Sequence, residues 1–326
     1  MAEELDEKQL AQLAAKMRAA EYKGLTDEEI KKRERQKEAR RQKNIAVLED
    51  TLQILANGGY SGSSSKVHLS LTDGQMCEAI VYLPEDINGL CRDFKTRTNE
   101  QTYKHACIFE CENADSLDLA ERKFKALQAQ GEREPKILVL NMASATHPGG
   151  RVREGAAAQE EELCRRTSLL LSLESEGAKR YYDYNNAQKS RMGTDSVIIS
   201  PHVEVIKNAA YEPISDPFCI SVISASAPMV RLGLEGKSQN DYEEMLYKRI
   251  CGMLLIAARE NYRHLILGAF GCGVFGNDAA LVSDLFSGAF RDLSECGCTF
   301  DSIDFAVLCR ADNDYNFREF CRNFST

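Results

Sequence analysis

Apolar runs alternate with amphipathic stretches along most of this chain, from about Ala79 to Asn323. Short runs rich in Val, Ile and Leu predict strands at Ala79–Leu83, Ala106–Glu110, Ile137–Asn141, Ser196–Ser200, Ile220–Ser224, Leu265–Ala269 and Phe305–Cys309. Helical spacing of apolar residues predicts helices over Ser116–Gln130, Ala157–Ser175, Tyr242–Asn261, Ala279–Ser294 and Tyr315–Asn323. Strands apolar throughout and interleaved with helices imply a sheet covered on both faces. Upstream, Ile45, Val47, Leu48, Leu52, Ile54 and Leu55 predict a helix packed on the core and ended by Gly58-Gly59. The run Ser61–Ser65 reads as a flexible loop. Residues 1–42 lack the core pattern and are dense in Glu, Lys and Arg of mixed sign. They read as a solvated helical or flexible arm ahead of one domain over 43–326, the sharper alternative being a docking or nucleic-acid arm.

Composition narrows the class. With 326 residues, 43% hydrophobic and 28% charged, the chain is an ordinary globular one. It has no apolar run of membrane-spanning length and its N-terminus is charged, so no membrane association is expected. An intracellular, cytoplasmic location is expected, or a nuclear one in a eukaryote. Of the twelve cysteines, Cys107, Cys219, Cys251 and Cys309 fall in apolar runs as small hydrophobes. There is no C-x-x-C pair, Cys296-Gly-Cys298 is too closely spaced for a zinc knuckle, and the five histidines are scattered. Neither a metal nor a cofactor is expected. A net charge of −9 argues against direct general nucleic-acid binding. An anionic ligand would have to be held by backbone N–H groups.

Three segments carry candidate chemistry. In the first, Asn141 closes a strand, Pro148-Gly149-Gly150 permits close backbone approach, and Gln159-Glu160-Glu161 opens a helix. Adjacent carboxylates in a semi-enclosed site repel, so one of them can hold a proton near neutral pH. Glycosidic bond cleavage needs such a group, to protonate the leaving oxygen and then deprotonate water. In the second, the strand at Leu265 runs into Gly268-Ala-Phe-Gly271-Cys272-Gly273-Val274-Phe275-Gly276, with Asn277 or Asp278 as helix cap. Such a loop can point N–H groups at a phosphate. It satisfies G-x-G-x-x-G, but lies far down the chain without the acid that dinucleotide binding uses. The third is the strand end Ser224-Ala-Ser226-Ala-Pro228. All three lie at carboxyl ends of strands and can converge on one crevice.

Together these residues resemble the bacterial-type poly(ADP-ribose) glycohydrolase family, from about Asn44 to Phe324. The resemblance implies a three-layer α/β/α macrodomain with a mixed central sheet and an extra N-terminal helical segment. It implies hydrolysis of ribose–ribose bonds in an ADP-ribose polymer, with Glu161 as acid and base, Glu160 on a ribose and Gln159 positioning the loop. Asn141 would bind the distal ribose, the Gly271–Gly276 backbone the diphosphate, and Phe275 would pack on the distal ribose. Gly149, Gly150 and Ser226 would line the substrate site, together with Cys272, Gly273 and Val274. Arg151 stands where the family usually has a third glycine, so it would contact the diphosphate or narrow the groove. Removal of single ADP-ribose units from a modified macromolecule is the close alternative. A reader of ADP-ribose would not need the acid, and a phosphatase acting on ADP-ribose phosphate would not need paired glutamates.

Overall fold

The computed structural model describes residues 22–61, 66–96, 107–295, 297, 300–309 and 314–325. Helix α1 (Asp27–Ala56) begins at a capping box, in which the Thr26 hydroxyl accepts from the Glu29 N–H and the Glu29 carboxylate accepts from the Thr26 N–H. No Gly or Pro interrupts it, and it runs unbroken through the boundary expected between residues 42 and 43. Up to Lys43 it is largely exposed. From Asn44 onward Asn44, Leu48, Thr51 and Leu55 form a buried stripe at helical spacing. Residues 1–21 of the charged arm lie outside the described residues.

The hairpin β1 (Gly59–Ser61) and β2 (Lys66–His68) follows. The loop expected over Ser61–Ser65 begins in β1, and residues 62–65 lie outside the described residues. Next come α2 (Asp73–Met76), β3 (Ile80–Tyr82), α3 (Pro84–Thr96), β4 (Ile108–Glu112), α4 (Ser116–Ala129) and β5 (Ile137–Met142). Then follow α5 (Gln159–Arg166), α6 (Leu169–Leu173), α7 (Glu176–Gln188), β6 (Val197–Lys207), β7 (Pro213–Ala225) and α8 (Gln239–Arg259). The chain closes with β8 (His264–Leu267), α9 (Ala279–Glu295), β9 (Ser302–Ala306) and α10 (Tyr315–Phe324).

One seven-stranded sheet has the order β3-β6-β7-β5-β8-β9-β4. The β3/β6 and β6/β7 pairs are antiparallel and the other four are parallel. In β5, Leu138 and Leu140 enter one apolar layer while Ile137 and Val139 enter the other. The first layer is completed by Leu254 of α8, Phe286 of α9 and Phe320 of α10. The second is completed by Leu48 of α1, Leu119 of α4, Leu163 of α5 and Tyr181 of α7. This is a three-layer α/β/α fold with a mixed sheet. Among the described residues, no helix is long and apolar enough to cross a membrane.

Four local expectations are corrected. The helix expected over Ala157–Ser175 is two helices, because Thr167 is extended (φ −139°, ψ 174°) and bridges Val205. The Ser168 N–H donates to the Glu204 carbonyl, and the Glu204 N–H donates to Ser168 Oγ. Strands β6 and β7 are longer than their apolar runs, because a register shift near Pro201 lets pairing resume at Val203. Strand β9 starts three residues early. Its interior acid, Asp304, is matched by Lys123 at 2.9 Å, so it does not break the strand. Helix α7 buries Ala178, Tyr181, Tyr182 and Asn185, a stripe too polar to stand out in the sequence. Ala106, Cys296 and Cys298 lie outside the described residues.

Candidate active site

Gln159, at the start of α5, is stapled to the end of β5. Its Oε1 accepts from the Met142 N–H at 2.9 Å and its Nε2 donates to the Leu140 carbonyl at 2.7 Å. The amide thus completes a strand edge and fixes where the next two residues project. Glu160 and Glu161 are both buried. Glu160 Oε2 accepts from the Ser144 N–H at 2.7 Å, and its Oε1 faces Asn141 Nδ2 at 3.4 Å. Asn141 Nδ2 also donates to Ser224 Oγ at 2.9 Å, which ties β5 to β7. Asn141 Oδ1, at the strand end, is buried and has no hydrogen-bond partner among the described residues.

Glu161 is held from both sides: Oε2 accepts from the Ala158 N–H at 2.9 Å and Oε1 from the Arg151 N–H at 3.0 Å. The intervening turn requires glycine. Gly149 and Gly150 have φ of +65° and +60°, and a Cβ on Gly150 would lie 2.6 Å from Glu161 Oε1 and 2.9 Å from Glu160 Oε2. Both carboxyl groups therefore converge on bare backbone. The Arg151 side chain points away from them; it is 72% exposed and its guanidinium is bonded to Glu154.

Burial pushes the Glu160 carboxyl up to about 8, and the neighbouring Glu161 adds to the rise against hydrogen bonds from Ser144, Asn141 and Gly149. Glu160 therefore favours its protonated form near neutral pH. The rings of Tyr181 and Tyr182 meet edge-on nearby, with centroids 5.0 Å apart. Their hydroxyls are buried, and both phenols are pushed up, first by burial and then by Glu160. They belong to the apolar backing of the site.

The glycine-rich loop after β8 faces the same strand ends. Gly271 and Gly276 have φ of +73° and +80°. Asn277 fixes the loop: Nδ2 donates to the Pro228 and Gly271 carbonyls at 2.9 Å each, and Oδ1 accepts from Tyr242 Oη at 2.8 Å. Asp278 is the helix cap, accepting from the Leu281 N–H at 3.0 Å. The Phe275 carbonyl accepts from the Val230 and Arg231 N–H groups, and Arg231 Nη2 donates to the Gly273 carbonyl. Among the described residues no hydrogen bond engages the N–H groups of Gly273, Val274 and Phe275. Gly273 and Val274 are exposed, Phe275 is half-buried, and burial pushes the Cys272 thiol up. Ser226 is buried beside this loop, and its carbonyl accepts from Arg249 Nη1 at 2.7 Å. Arg249 also reaches the Met192 carbonyl and Asp195.

The residues that sequence reasoning singled out thus form two clusters at the carboxyl ends of β5, β7 and β8. One surrounds Gly150 and the other is the loop Gly271–Gly276. Sequence reasoning placed Ser224 at a candidate strand end without its tie to Asn141, and missed Tyr242, Arg249 and the clamp made by Asn277. Only Asn277 carried a local signal, as a possible helix cap. Among the described residues, no group of three or more His, Cys, Asp or Glu side chains is placed to hold a metal ion.

Residues 48–208 match the family described as microbial-type PARG, catalytic domain. No curated protein matched by sequence. Among solved structures, the chain is similar to the poly(ADP-ribose) glycohydrolase of Thermomonospora curvata, at 28% identity over 87% of this chain and 100% of the other, with a TM-score of 0.77. The structure of that enzyme bound to the inhibitor ADP-HPD gives a TM-score of 0.74 at 28% identity, with the same coverage of both chains. The poly(ADP-ribose) glycohydrolase of Deinococcus radiodurans in complex with ADP-ribose is 30% identical over 79% of this chain and 98% of the other, with a TM-score of 0.65.

Proposed function

The chain belongs to the microbial-type poly(ADP-ribose) glycohydrolase family, and from that membership we propose that it hydrolyses the O-glycosidic ribose–ribose bonds of poly(ADP-ribose), releasing ADP-ribose, with Glu161 as general acid and base. The observation that carries this reading is the convergence of Glu160 and Glu161 on Gly150, beside a glycine loop with unengaged N–H groups.

Each part of the site has a role in this reaction. The diphosphate lies on the N–H groups of Gly273, Val274 and Phe275, which supply fixed donors at no reorganisation cost. The unpartnered Asn141 Oδ1 accepts from a ribose hydroxyl, and Glu160 meets a second hydroxyl beside Glu161. Glu161 gives its proton to the leaving ribose oxygen as the bond from that oxygen to the anomeric carbon breaks. The oxocarbenium-like carbon that develops is stabilised by the nearby diphosphate. A water then bonds to that carbon through its oxygen and returns a proton to Glu161. One carboxyl serves both steps, and no covalent glycosyl-enzyme is required.

The test is incubation with poly(ADP-ribose) chains and, separately, with singly ADP-ribosylated protein, following released ADP-ribose. Release from chains by wild type, reduced on the order of 10²-fold or more in Glu161→Gln, supports the assignment. Release only from singly modified protein, or equal activity in the variant, overturns it.

A further inference from the structure

The face of α1 buried at Asn44, Leu48, Thr51 and Leu55 does not end at the edge of the domain. Carried back at 3.6 residues per turn, the same face holds Arg41, Arg40, Lys37 and Arg33, all exposed. Arg41 fixes its direction, because Nε donates to the Glu154 carbonyl at 2.6 Å, in the turn that also carries Arg151. Asn44 Nδ2 donates to the next carbonyl, Gly155, at 3.0 Å. The basic stripe therefore starts at the loop whose N–H holds Glu161 and runs outward for about 12 Å at the helical rise per residue. From Ile30 to Lys43 there are eight basic residues and two acidic ones, in a chain of net charge −9. Arg151 and Arg153 continue the basic surface onto the domain, paired at its rim with Glu154 and Glu174.

We propose that this stripe is a binding surface for the distal part of a long ADP-ribose polymer, engaging phosphates of units beyond the one in the catalytic site. The proposal rests on the reading of poly(ADP-ribose) as substrate. Each unit of that polymer carries a diphosphate, so the chain is a polyanion. Cations about one helical turn apart form a track for such a chain on an otherwise acidic protein. Because the stripe begins at the catalytic loop, a polymer lying on it is continuous with the unit being cleaved.

The test compares binding to full-length Glu161→Gln protein, which limits turnover, with and without Arg33→Gln, Lys37→Gln and Arg40→Gln together. The probes are fluorescent polymer of defined length, free ADP-ribose and single-stranded DNA. For chains of about twenty units at low salt, the Kd should rise about tenfold, and the slope of log affinity against log salt should shrink by about 2. The ADP-ribose Kd should not change. A charge-retaining variant, Arg33→Lys with Lys37→Arg and Arg40→Lys, should bind like its parent, which separates charge from helix integrity. Unchanged polymer affinity overturns the proposal, and so does an equal loss of affinity for ADP-ribose. Loss confined to DNA binding would instead make the stripe a nucleic-acid arm. Failure of the wild type to hydrolyse polymer would overturn the proposed function and leave this binding comparison readable by itself.

Discussion

The backbone N–H of Arg151 donates to Glu161 Oε1 at 3.0 Å, while the guanidinium of the same residue turns outward to Glu154. The contact to the proposed catalytic group is made by an atom that every residue except proline possesses. Arg151→Ala should therefore hydrolyse an ADP-ribose dimer within about threefold of the wild-type rate, since the N–H donor is kept. Arg151→Pro removes the donor and asks for a φ near −65° where Arg151 has −110°, so its rate should fall on the order of 10²-fold. Initial rates on the dimer check both.

Glu160 gives a prediction with a definite sign. Its folded-state value of about 8 lies above the ordinary carboxylate range, so between roughly pH 4.5 and 8 the folded protein binds more protons than the unfolded chain. Its contribution to stability is complete below the unfolded value and is lost as pH rises through about 8. Glu160→Gln should flatten that fall, by an amount on the order of 5 kcal/mol at most. Denaturant titrations of both proteins across this range measure it. A steeper fall in the variant would contradict the assignment.

Gly150→Ala places a methyl group 2.6 Å from Glu161 Oε1 at a backbone φ of +60°. The left-handed conformation alone costs about 1–2 kcal/mol for a residue with a Cβ. The carboxyl must also move, and small misplacements of a catalytic group lower rates on the order of 10²-fold. The variant should lose most of its turnover and melt a few degrees lower, as read by an activity assay and calorimetry.

Asn277→Ala removes donors to the Pro228 and Gly271 carbonyls and the acceptor for Tyr242 Oη, all in a buried setting. Leaving these partners unsatisfied should destabilise the protein by on the order of 2–3 kcal/mol. Because Asn277 braces the glycine loop, ADP-ribose affinity should fall more than turnover at saturating substrate. Calorimetric binding together with the KM-against-kcat split separates the two.

Much of the fold was legible because its signal is local. Strand β5 reads as apolar throughout because both of its faces are buried, and the resulting two apolar layers are visible as alternate residues of one run. The Pro-Gly-Gly turn and the Gln159-Glu160-Glu161 triplet were legible because their chemistry depends on residue type at short spacing. By contrast, the break at Thr167 depends on pairing with Val205, and Asp304 stays in a strand because Lys123 of another element meets it. Neither partner is near in sequence.

The sequence by itself determined that the chain alternates strands and helices, that two adjacent carboxylates follow a glycine turn, and that a second glycine loop lies at a strand end. Each follows from backbone freedom, side-chain period or residue chemistry within a few positions. Tertiary structure alone decided which glutamate burial pushes up, that the N–H of Arg151 rather than its charge serves Glu161, and that Asn277 and Arg249 brace the loops. Those outcomes depend on desolvation and on hydrogen bonds between elements distant in sequence, which local residue chemistry does not encode.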